Sequence, residues 1–73
     1  MNALDIKKMI EAGLPEAEVK VLGDDGQHFE AHVVCPSFAG KTLIAQHKMV
    51  YATLGDSFES ALHALALKTS APR

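Results

Sequence analysis

The 73-residue sequence predicts a single α+β domain in the order α-β-β-α-α-β, one three-stranded sheet with helices packed on one face. Three observations carry this reading. Apolar residues recur every three to four positions near the N-terminus and again from Leu43 to Leu54. Between those segments, Ala17–Val21 and Phe29–Cys35 alternate with a period of two, as half-buried strands do. Gly, Pro and Asp punctuate the joints.

Asn2 is placed to cap the first helix, with Asp5 in its first turn and Ile6, Met9 and Ile10 forming a buried stripe. Gly13 and Pro15 end it. Ala17, Val19 and Val21 then share one strand face while Glu18 and Lys20 share the other. Gly23-Asp24-Asp25-Gly26 is a turn, after which Phe29, Ala31, Val33 and Cys35 alternate with Glu30, His32 and Val34, predicting an antiparallel hairpin. Pro36 stops the second strand, and Thr42 caps a helix whose apolar stripe reads Leu43, Ile44, His47, Val50, Tyr51 and Leu54. Gly55 closes that helix. Asp56 and Glu59 resemble a capping box for a very short helix through Ala61. A third strand is expected from about Leu62 to Lys68, giving a domain over 1–69 and a frayed tail over 70–73.

A chain this short has room for one modest core and none for a separate catalytic domain. Hydrophobic residues at 48% and charged residues at 22% argue against disorder. The formal net charge of −2 removes the bulk attraction that drives non-specific phosphate binding. With one cysteine, no signal-peptide layout and no apolar run long enough for a membrane span, the expected setting is the reducing cytoplasm, away from membranes.

Two motifs fail on inspection. Gly40-Lys41-Thr42 resembles the end of a phosphate-binding loop, but the glycine that loop requires is replaced by Cys35, with Pro36 after it. Gly23-Asp24-Asp25-Gly26 has the glycine spacing of an RNA-clamping loop, yet two aspartates there repel phosphate. No nucleophile is paired with a base, so catalysis has no positive support.

Four histidines remain, and imidazole is a common neutral metal ligand. Each has an ordinary structural reading as well. His47 reads as a partly buried helix residue, His28 as an exposed hairpin residue, and His32 as a solvated residue on a polar strand face. His63 reads as a cap on the sheet edge, and Cys35 as a small apolar residue of the core. Composition alone yields no metal site.

The segment from Phe38 to Tyr51, FAGKTLIAQHKMVY, resembles the signature of the BolA family, in which F-x-G-K leads through Ser or Thr into a helix bearing His, a basic residue, Val and Tyr. His63-Ala64-Leu65-Ala66-Leu67-Lys68-Thr69 is similar to the family's third strand, and Gly26-Gln27-His28-Phe29 to its hairpin. Lys48 departs from the arginine of many members, and the sequence stops soon after Thr69, where many continue. The resemblance implies a fold related to type II KH domains. It also implies a non-enzymatic partner of a monothiol glutaredoxin, the pair sharing a [2Fe–2S] cluster with glutathione for iron homeostasis or cluster trafficking. His47 is then the foremost ligand, His28 the second and Cys35 the third. Imidazole in place of thiolate lowers the negative charge on iron and raises its potential. A DNA-binding transcriptional regulator is the alternative function, with Lys41, Lys48 and Lys68 as its basic patch. An enzymatic role has the least support, and a homodimer of the isolated chain stays open.

Overall fold

The computed structural model describes residues 2–23, 28–55 and 65–72. Helix α1 spans Ala3–Gly13, strand β1 Glu18–Leu22, strand β2 Phe29–Val34, helix α2 Leu43–Leu54 and strand β3 Leu65–Ser70, with a short 3-10 turn at Pro36–Phe38. The expected short helix after Gly55 and the start of the third strand lie outside the described residues, as do the two aspartates of the expected turn.

The α1 cap forms as the sequence predicts and is reciprocal. Asn2 Oδ1 accepts from the Asp5 amide at 2.9 Å, and Asp5 Oδ2 accepts from the Asn2 amide at 3.4 Å, satisfying amide groups that a helix start leaves orphaned. Ile6 and Ile10 are sealed in the core. Gly13 lies where a β-carbon would stand 2.5 Å from Thr53 Cγ2 of α2, so the missing side chain is what lets the helices meet there. Thr53 cannot swing away freely, because its hydroxyl donates to the Val50 carbonyl at 2.6 Å. Gly13→Ala should therefore destabilise the fold by about 1–3 kcal/mol, the usual cost of overpacking. Chemical denaturation checks this; an unchanged midpoint would show that the helices separate easily.

The sheet order is β1-β2-β3, β1 antiparallel to β2 and β2 parallel to β3. Val19 faces Val33 and Lys20 faces His32; Phe29 pairs with Leu65 and Val34 with Ser70. A parallel neighbour demands a long crossover, and α2 lies within it. On β2, Phe29, Ala31 and Val33 are buried while Glu30, His32 and Val34 are only half-buried, the alternation of a sheet covered on one face. The covered face, with Phe38, Val50, Leu54 and Leu65, forms one core.

Two expectations need correction. The third strand does not end at Lys68 but continues to Ser70, whose carbonyl accepts from the Cys35 amide at 3.0 Å. The parallel register gives Thr69 and Ser70 partners on β2, so pairing outlasts the apolar alternation that set the expected end. The stripe of α2 is also rotated from the expected one. Leu43 and Ile44 are 62% and 70% exposed, and the buried positions are Gln46, Val50 and Leu54.

Candidate functional site

The approach to α2 is built from the Phe38–Thr42 segment. Phe38 is buried at the 3-10 turn, where its amide donates to the Cys35 carbonyl at 3.0 Å and its carbonyl accepts from the Lys41 amide at 3.0 Å. Gly40 adopts φ 77°, a conformation that side chains disfavour, which accounts for glycine at this tight turn. Thr42 caps the helix through Oγ1, which accepts from the Ala45 amide at 3.1 Å.

Gln46 is the residue that sequence reasoning missed. Its Nε2 donates to the Lys41 carbonyl at 2.8 Å, and its Oε1 accepts from the Thr69 hydroxyl at 2.6 Å. It is buried at 7% exposure, with donor and acceptor both used, and it fastens the first turn of α2 to β3 and to the preceding loop. The one signal for it was the four-residue spacing of Gln46, Val50 and Leu54.

His47, the next residue, is half-buried, at the edge of the stripe rather than in it. The neighbours one turn before it are the exposed Leu43 and Ile44; Lys48 beside it is exposed, and Tyr51, one turn on, is half-buried. His28 is exposed immediately before β2. Cys35 is 1% exposed within the core, so no partner group reaches its thiol without the strand end opening.

These three residues are not brought together. Gln46 touches Thr69, which pairs with Val33, whereas His28 precedes Phe29 at the other end of β2. Among the described residues no three His, Cys, Asp or Glu side chains converge as a metal cage.

The uncovered face of the sheet carries a different constellation. His32 Nε2, itself shut off from solvent, stands 3.0 Å from Glu30 Oε2, and Lys68 Nζ is 3.9 Å from Glu30 Oε1. The Glu30 carboxyl is held below its ordinary range chiefly by its polar contact with His32, with Lys68 adding to this and desolvation opposing it. A lowered carboxyl stabilises the fold above the ordinary carboxylate range, and this contribution is lost as pH falls through the lowered value. His32→Ala should move the Glu30 titration up toward its ordinary value in an NMR titration; an unmoved carboxyl would show that His32 does not set it. A groove of about 510 Å³ beside this face, lined by Lys7, Glu11, Glu18, Lys20, His32 and Val34 among others, mixes both signs of charge and presents no convergent chemistry.

No helix among the described residues is long and apolar enough to cross a membrane. Comparison with known proteins gives a consistent picture. Residues 3–73 match the family described as BolA-like protein. The solved structure of a bolA protein homologue from Coxiella burnetii is 48% identical and superposes with a TM-score of 0.84, covering 99% of this chain and 92% of that one. SufE-like protein 1, chloroplastic/mitochondrial, of Arabidopsis thaliana is 41% identical over 51 residues, covering 68% of this chain and 14% of that protein. The DNA-binding transcriptional regulator BolA of Escherichia coli is 38% identical over 42 residues, covering 58% of this chain and 40% of that protein. The chain thus spans well under half the length of these curated relatives.

Proposed function

Because the chain belongs to the BolA-like protein family, we propose that it is a non-enzymatic adaptor that binds a monothiol glutaredoxin and lends an imidazole to a shared [2Fe–2S] cluster. The observation that carries this reading is His47: a half-buried imidazole on a helix start pinned by Thr42 and Gln46, flanked by exposed apolar side chains. Pinning matters because a ligand must be held in place by its surroundings to bind a metal well. When bound, such a cluster would supply one-electron chemistry at a potential raised by the neutral ligand. The chain's own part is to present the nitrogen and to bind the partner. Cys35 belongs to the core in this reading, and its burial is in keeping with the lowest place among the three ligands.

A second ligand arrangement is supported by the parallel pairing of β2 and β3. Phe29 faces Leu65, so His28 sits at the end of the sheet from which β3 starts, and His63 is two residues upstream of Leu65 in the sequence, outside the described residues. This end of the sheet is the alternative to His47 as the ligand position. As a second function, the regulator reading draws support from Lys41 and Lys48, both exposed in a segment free of acids. It expects DNA affinity that falls steeply with salt.

The deciding experiment is reconstitution of a monothiol glutaredoxin with iron, sulfide and glutathione, with and without this chain, followed by visible absorption and circular dichroism. The adaptor reading expects a new spectrum and a mixed complex on gel filtration. Spectra that superpose, with the chain eluting alone, would overturn it.

A further inference from the structure

In the order β1-β2-β3, strand β1 has no neighbour on its outer side among the described residues, and the outward amides and carbonyls of such an edge are a template for another strand. A lone lysine on an edge discourages pairing. Strand β1 instead carries Glu18 and Lys20 together, both exposed on the open face, with the buried Val19 between them. These three residues line the groove beside that face, together with Lys7 and Glu11 of α1, the helix that packs against β1. The charges of the groove thus come as two pairs of opposite sign, one turn apart on the helix and two positions apart on the strand.

Antiparallel pairing dictates what complements this edge, because residues directly opposite one another share a face of the sheet. A strand laid antiparallel along β1 meets Lys20 first and Glu18 last, so its complementary order from the N-terminus is acid, apolar, base. Glu18-Val19-Lys20 has that order itself. A two-fold axis at Val19 sets Glu18 against Lys20 of a second copy, Lys20 against its Glu18, and Val19 against Val19. An axis at Glu18 or at Lys20 would set like charges face to face, and one at Val21 would set Lys20 against Leu22. The axis at Val19 also makes α1 and its copy antiparallel neighbours, so that Lys7 of one approaches Glu11 of the other. The opposite edge, β3, carries Lys68 and no acid, so no register there pairs opposite charges.

We propose that β1 pairs with β1 of a second copy of this chain, in register about Val19, forming a two-fold symmetric dimer with a continuous six-stranded sheet, three strands from each copy. The interface is isologous: the same patch on both copies, complementary to itself in charge. It stands independently of the adaptor reading, since β3, against which α2 packs, lies at the far side of the sheet.

One short strand and one helix make a small interface and hence a weak association, so the test is sedimentation equilibrium of the full chain from micromolar to millimolar concentration. Each variant is first checked for an unchanged fold by circular dichroism, which exposed Glu18 and Lys20 should allow. Glu18→Lys alone and Lys20→Glu alone should each raise the dissociation constant of the dimer about tenfold or more, because each sets like charges opposite one another. An equimolar mixture of these two variants should associate as the wild type does, since every charge then meets its opposite across the axis. The double variant Glu18→Lys/Lys20→Glu should likewise recover self-association, and added salt should weaken the mixed pair. A mixture no better associated than its components would overturn the proposal. Self-association that both single variants retain would place the contact elsewhere and overturn it as well. A wild-type chain that stays monomeric through millimolar concentration would also overturn it, leaving the edge to a strand of another protein.

Discussion

Phe38→Ala should destabilise the domain by about 3–5 kcal/mol. Phe38 is 1% exposed and among the largest fully buried side chains, and truncating a buried Phe costs about 3–5 kcal/mol. A domain is stabilised by roughly 0.05–0.15 kcal/mol per residue, so this loss consumes much of what a chain of this size has. For a domain of this size each kcal/mol lowers Tm by about 4–8 °C, giving an expected fall of at least about 12 °C. Leu43→Ala and Ile44→Ala should instead change stability by about 0.5 kcal/mol or less, as substitutions on exposed surface do. The contrast decides whether the core runs through the Phe38 turn or through the first turn of α2. Equal losses from Phe38→Ala and Ile44→Ala would put both in the core and refute the observed rotation of the helix.

Gln46→Ala is the second large effect. It removes two part-buried hydrogen bonds, to the Lys41 carbonyl and from the Thr69 hydroxyl, each contributing about 0.5–1.5 kcal/mol. Thr69→Val removes only the hydroxyl side of the link. If the pair acts as described, the two substitutions together should cost less than their sum, with a coupling of about 0.5–3 kcal/mol in a double-mutant cycle. Strict additivity would show that the link between α2 and β3 carries no stability. Because Gln46 adjoins His47, amide exchange in the first turn of α2 should also quicken in Gln46→Ala.

Much of this architecture is legible in the sequence, for reasons that differ by element. Strands β1 and β2 alternate cleanly because one face of the sheet is open, so burial writes a period of two into Phe29–Val34. The α1 cap is legible because Asn2 and Asp5 satisfy local backbone groups, and local bonds need no knowledge of the fold. Helix α2 misleads for the opposite reason. Leu43 and Ile44 fit an apolar stripe by spacing, but the first turn carries them beyond the core, and the buried place falls to Gln46, whose partners lie on β3 and in the loop. Ser70 escapes notice because its strand pairing is set by the register with Val34. At the site, the sequence singles out His47, His28 and Cys35. The partial accessibility expected of a ligand is found at His47, and the inward turn expected of a cysteine before proline is found at Cys35.

The central claim, that the helix histidine is this chain's contribution to a shared cluster, is tested most directly by cluster spectra and loss rates of the glutaredoxin complex formed with His47→Ala, His28→Ala, His63→Ala and Cys35→Ser. His47→Ala should make the mixed cluster labile or return it to the glutaredoxin homodimer. His28→Ala and His63→Ala should keep the complex, and Cys35→Ser should change little. An unchanged spectrum in His47→Ala beside a collapsed one in His28→Ala or His63→Ala would contradict it, and would move the ligand to the end of the sheet where β2 and β3 begin.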